Sequence, residues 1–279
     1  MKLLFQQSLR SSTRSVGDGR IEAEAVLLST DTEMVARVTV TQDTFLIEKA
    51  ERESLRSGSL YVSSIGAANL IGTPAYFGVA SSLARAFPDA KDALERGLFS
   101  ECIKALIQSE CYLFRQRGFA DKHAYQKNWD ISHPDSCRYY SHLDLVSRRW
   151  FEYIGNEPRK QSLFNRHKTI AIWQSERGAL EGSGTFLDSF HELGIQAQCE
   201  ADGTIVGFTG SFLRAPDSIC FGTAELLTSL SGRNLGEFTR KEMNRCAGGP
   251  EGCAHLLDLG QDLLATLQKT AKLFDATKL

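Results

Sequence analysis

Read along the chain, apolar and polar residues change period several times, and each change marks an element. Ile21, Ala23, Ala25 and Leu27 alternate with Glu22 and Glu24, and Met34, Ala36, Val38 and Val40 alternate with Arg37, Thr39 and Thr41. A period of two with one apolar face predicts strands lying on a core. "TQDT" (41–44) and "EADGT" (200–204) separate apolar runs with turn chemistry, so antiparallel hairpins are expected there. The period then becomes helical in "GVASSLARAF" and "KDALERGLFSECIKALIQSECYLFRQRG", and again in "CFGTAELLTSL", "LGEFTRKEMN" and "RCAGGPEGCAHLLDLGQDLLATLQ". Strands followed by helices on one face predict an α+β fold.

The pattern occurs twice. Residues 20–51 lie over 179–210 with one constant shift and no gap: Ile21 meets Leu180, Glu22 meets Glu181, Leu27 meets Phe186, Glu33 meets Glu192, Asp43 meets Asp202 and Leu46 meets Ile205. Two tandem copies of a three-stranded antiparallel meander followed by helices are therefore expected. The first repeat would span 1–155, including an aromatic and Arg-rich tail at 123–155, and the second would span 160–279. That tail holds Trp129, Tyr139, Tyr140, Trp150, Phe151 and Tyr153 and is too apolar to stay in water. "GNEPRKQ" (155–161) reads as the connector. The layout also suggests internal pseudo-twofold pairing of the repeats.

A net charge of −2 argues against a phosphate-neutralising or lipid-binding surface, so neither nucleic acid nor membrane is an expected partner. No stretch approaches the roughly 20 apolar residues of a membrane span, and the start turns polar too soon for a signal peptide. Seven scattered cysteines without a CxxC pair argue against a disulfide framework, which leads to the expectation of reduced thiols and a cytoplasmic location.

"FHELGIQ", "SICFG" and "EGCAHLLDL" follow one another in the second copy. They resemble a bacterial domain-of-unknown-function family with His-Asp-Met, Ile-Cys and Gly-Cys-Thr-His-Leu motifs. "HPDSCRYYSHLDLVSRRWFEY" resembles that family's Asp-Thr-Cys segment with paired arginines and aromatics. The resemblance implies motif positions at His191, Cys220, Cys253 and His255, with Cys137 in the tail. In the first copy Thr32 replaces His191, no cysteine near Leu60 and Tyr61 matches Cys220, and Cys102 is a loose counterpart of Cys253, so a site there should be degenerate. The order of strands and cysteines is also similar to the iron-sulfur scaffold fold of the NifU and IscU type. That likeness implies cluster ligands near His191, Cys220 and Cys253, but Ser189 stands where the first cysteine would be.

Thiolate and imidazole suit zinc and iron, and His191, Cys220 and Cys253 offer three donors from separate elements, with Cys137 or His255 as a further donor. The cofactor would be Zn, Fe or an iron-sulfur cluster. The plainer reading makes Cys253 part of an apolar helical stripe with Leu256, Leu257, Gly260 and Leu264, makes Cys220 a core residue, and leaves His191 at a strand start. Cys253 and His255 are about 200° apart on an ideal helix, so both reach one ion only if the first turn is distorted, and His255 is expected beside Asp258 or Asp262. Pro250 suits the first turn of a helix whose N-terminus would favour a Cys253 thiolate. His133, Cys137 and His142 lack zinc-finger spacing, and Arg148 and Arg149 read as ion-pair partners.

Three function classes follow. A metal or iron-sulfur protein would lose its metal on Cys220→Ala or Cys253→Ala. An enzyme using Cys253 as nucleophile or His191 as general base would show a rapidly alkylated thiol without metal. A non-catalytic adaptor, presenting two surfaces to a protein partner or a second copy, would show neither.

Overall fold

A computed structural model describes residues 1–57, 63–89, 93–155 and 157–275. Leu60 and Tyr61 lie outside the described residues, as do Lys91, Asp92 and Asn156. The strands are β1 (Lys2–Gly17), β2 (Arg20–Ser29), β3 (Thr32–Thr41), β4 (Ile47–Ser57), β5 (Ser63–Gly66), β6 (Ser162–Gln174), β7 (Leu180–Asp188), β8 (Glu192–Cys199) and β9 (Ile205–Arg214). The helices are α1 (Ala80–Ala86), α2 (Ala93–Ser109), α3 (Lys122–Ser132), α4 (Arg138–Ser141), α5 (Trp150–Ile154), α6 (Arg240–Ala247) and α7 (Ala254–Asp275), with a long 3-10 segment at Ser218–Leu230. The fold is α+β. Among the described residues no helix is long and apolar enough to cross a membrane.

The chain forms two compact units, which divide it differently from 1–155 and 160–279. The N-terminal unit holds Ser8–Lys127 and Asn156–His167, and the C-terminal unit holds Met1–Gln7, Asn128–Gly155 and Lys168–Leu279. Most of the aromatic tail thus packs with the second set of strands. Tyr139 is buried, and Trp150 meets Phe190 edge-on at 4.9 Å.

In the N-terminal unit β2, β3 and β4 form an antiparallel meander, with Ile21 opposite Val40 and Val38 opposite Ala50. The inward residues of β2, Ile21, Ala23, Ala25 and Leu27, meet Leu98, Phe99, Cys102 and Leu106 of α2 in one core. Small alanines there let the helix approach closely. In the C-terminal unit β7, β8 and β9 form the corresponding meander, with Leu180 opposite Cys199 and Leu187 opposite Glu192. Helix α7 lies on β7, where glycine replaces alanine: a Cβ on Gly182 would sit 2.9 Å from Leu263, and one on Gly184 would sit 3.2 Å from Leu259. Its stripe Leu256, Leu259, Leu263, Leu264 and Leu267 is buried.

Bulges interrupt the β3–β4 pairing at Glu33/Met34 and Thr39/Val40, and the β8–β9 pairing at Glu192/Leu193 and Gln198/Cys199. These positions correspond under the same shift that sets Ile21 on Leu180. Beyond the expected three strands, a further long strand leads into each meander, β1 before β2 and β6 before β7. On β1 two inward positions are Ser11 and Thr13, so hydrophobic alternation fades although the backbone is extended and the side chains are buried.

Candidate functional site

The site is built on the turn between β7 and β8. The Asp188 carboxylate is buried and folds this turn around itself: its Oδ1 accepts from the Phe190 and His191 amides, both at 2.7 Å, and from His191 Nδ1 at 3.2 Å. Such donors offset the cost of taking a carboxylate out of water. They also aim the His191 imidazole, itself 6 % exposed, inward. An Nδ1–H donated to Asp188 leaves Nε2 as the lone pair on that ring.

His255 is the second residue of α7 and stacks on His191, with ring centroids 3.8 Å apart and an angle of 28°. Phe186 meets its edge at 5.3 Å. One ligand atom from each of Asp188, His191 and His255 falls within 4.8 Å of the others. Asp258 and Asp262, the partners expected for His255, both take the buried Lys168 ammonium, at 2.9 and 2.6 Å.

Helix α7 begins at Ala254, and Pro250 sits in the preceding turn instead of the first helical turn. Cys253 therefore precedes the helix, and its carbonyl accepts the Leu257 amide at 2.9 Å. This removes the 200° separation, because Cys253 is free of helical geometry and its Sγ lies 4.0 Å from His255 Nδ1. The Gly252 backbone makes the approach: a Cβ there would fall 2.2 Å from the Ala247 carbonyl oxygen. The expected thiolate is not found. Burial pushes the Cys253 thiol up to about 12, overriding the amides of Leu256 and His255 that favour the anion.

Cys220 lies near the start of the 3-10 segment, capped by Asp217, and burial pushes its thiol up to about 12, with the charges of Cys253 and Cys137 acting in the same direction. Cys137 caps α4, and the next amide, that of Arg138, donates to the Gly252 carbonyl at 2.9 Å. His191, His255 and Cys253 thus come together, and Cys220 and Cys137 stand within electrostatic range of Cys253. Cys220 and Cys253 also belong to the apolar core with Leu256 and Leu259, as the plainer reading expected.

Cys102 is no counterpart of Cys253. It lies within α2, fully buried, with its thiol donating to the Ala36 carbonyl at 3.5 Å. His133 stacks on Trp129 and His142 bonds Glu251 at 2.7 Å, so neither joins Cys137 in a site. Arg149 pairs with Asp130, while Arg148 donates to the Pro216 carbonyl and covers the Tyr153 ring. Sequence reasoning missed Asp188. The signal was present in its place three residues before His191, where a short acceptor can cap the following amides.

The fold and the cluster of Asp188, His191 and half-buried His255 give an α+β protein with a candidate ligand-binding centre in its C-terminal unit. Residues 174–270, which contain Asp188, His191, Cys220, Cys253 and His255, match the model of the family described as a protein of unknown function (DUF2889). The match covers about a third of the chain. No curated protein and no solved structure matches the chain.

Proposed function

We propose that the C-terminal unit binds a transition-metal ion, zinc or iron, through Asp188, His191 and His255, with Cys253 as fourth donor. The observation that carries this reading is the convergence of a carboxylate and two imidazoles within 4.8 Å, from a strand turn and a helix start far apart in sequence. Bonds of about 2.0–2.3 Å to such a set require only a modest contraction of the cluster. Two imidazoles and a carboxylate are a donor set used for iron, and a thiolate added to them suits zinc. Binding through Cys253 would displace its proton, so a reducing, cytoplasmic setting is part of the proposal.

Metal analysis of protein purified without oxygen tests it. Wild type should hold about one ion per chain, and Asp188→Ala, His191→Ala and His255→Ala should lose it. Metal-free wild type, or variants that retain the ion, would overturn the reading. The shared cluster of Cys220 and Cys253, with Cys137 packed against it, favours a second reading, a sulfur-rich iron or iron-sulfur centre. In that case Cys220→Ala would lose the metal and Asp188→Ala would keep it.

We also infer that the two meanders descend from a tandem duplication whose first copy is degenerate. Matching bulges support it, and so do the matching turns. In the first copy Ser29 Oγ accepts the Thr32 amide at 3.0 Å, as Asp188 accepts that of His191. Serine and threonine there replace the carboxylate and imidazole on a preserved backbone device.

A further inference from the structure

The Asp188–His191 turn is fastened from outside. Arg214, the last residue of β9, donates Nη2 to the Asp188 carbonyl at 2.6 Å and to that of His191 at 3.3 Å, and Nη1 to that of Ser189 at 3.1 Å. Tyr153, on α5, donates its hydroxyl to the Phe190 carbonyl and accepts Arg214 Nη1 at 3.3 Å. Every carbonyl of the turn is thus bonded. Trp150 meets both Phe190, at 4.9 Å, and Tyr153, at 6.1 Å, and Arg148 lies over the Tyr153 ring at 4.6 Å.

Peptide planarity turns these bonds into a positioning device. The Ser189 carbonyl and the Phe190 N–H belong to one rigid trans peptide, and the Phe190 carbonyl and the His191 N–H to the next. Those two N–H groups are the ones that hold Asp188 Oδ1. Arg214 therefore fixes one plane and Tyr153 the other, each from the end opposite the carboxylate. Hydrogen bonds in series through a buried peptide polarise one another.

We propose that Arg214 and Tyr153 are positioning residues of the metal site, presetting the Asp188 carboxylate and the His191 ring against His255 before the ion arrives. The proposal rests on the metal reading above. The N-terminal unit supplies an internal control, because Arg56 Nη2 donates to the Ser29 carbonyl at 2.5 Å on a turn that lacks both ligands.

The test is zinc competition against a chromophoric chelator with the full chain, together with visible absorption of the cobalt(II)-loaded protein. Tyr153→Phe, which removes one oxygen, and Arg214→Lys, which keeps the charge but loses the fork, should each weaken zinc binding by about 10- to 100-fold and alter the cobalt spectrum. Arg56→Lys should leave both unchanged. Wild type that binds no zinc ends the metal reading and this proposal with it. Wild type that binds zinc, with both variants within about threefold and spectra unchanged, overturns the positioning role alone. An effect of Arg56→Lys as large as theirs also overturns it, by showing general destabilisation. If Arg214→Lys does not fold, Tyr153→Phe decides.

Discussion

Iodoacetamide offered to the metal-free protein at pH 7 should leave Cys253 and Cys220 almost untouched. The thiolate is the reacting species, and a thiol held at about 12 carries about a thousandth of the thiolate of an ordinary one near 9. Cys253 is 8 % exposed, which slows access further. Cys246, half-buried on α6, is the internal reference. Peptide mass spectrometry over a time course should show the half-buried Cys246 modified first and the two buried thiols much more slowly. The same proton links to metal: a thiol that must ionise to become a ligand makes zinc affinity rise by up to about tenfold per pH unit, and Cys253→Ala should lower that slope. Alkylation of Cys253 as fast as that of Cys246 would refute the reasoning. It would point to an activated nucleophile and return the enzyme reading to the front.

Stability should fall in alkali. The folded chain holds Cys199 at about 11 and Cys220 and Cys253 at about 12, so it keeps protons that the unfolded chain releases near 9. That contribution is complete below about 9 and is lost as pH rises towards 12, so the urea midpoint should drop between pH 8 and 10.5, and a rising midpoint would contradict the burial argument. Gly252→Ala should cost about 1–3 kcal/mol, because the added carbon meets a backbone carbonyl that cannot yield; an unchanged midpoint would show that the loop before Cys253 is looser than described. Lys168→Met should cost about 2–4 kcal/mol by removing the buried ammonium that bonds both Asp258 and the partly solvated Asp262; denaturant unfolding measures it, and a neutral result would mean that the ammonium contributes little to stability.

Part of this was legible in the sequence because local spacing carries it. Strict alternation on β2 and β3 gave both strands and their inward faces, and the gapless alignment coincides with equal hairpin registers in the two units. His191, Cys253 and His255 stood out as residue types. Strand β1 was not legible, since Ser11 and Thr13 at inward positions break the apolar alternation. Nor was Asp188, whose importance lies in three donors from its own turn and a histidine stacked from another element. The raised Cys253 pKa is not legible for a related reason: proximity to a helix start can be read locally, but the depth of burial cannot.

The order of apolar and polar residues, by itself, determined the α+β class and the inward faces of β2 and β3. Tertiary structure decided which carboxylate joins the histidines, which carboxylates are taken by Lys168, where α7 begins relative to Cys253, and that its thiol stays protonated. Secondary structure follows periods of two to four residues, which the chain displays directly. A site of this kind depends on distances between groups separated by tens of residues and on how much water the packed fold excludes from them.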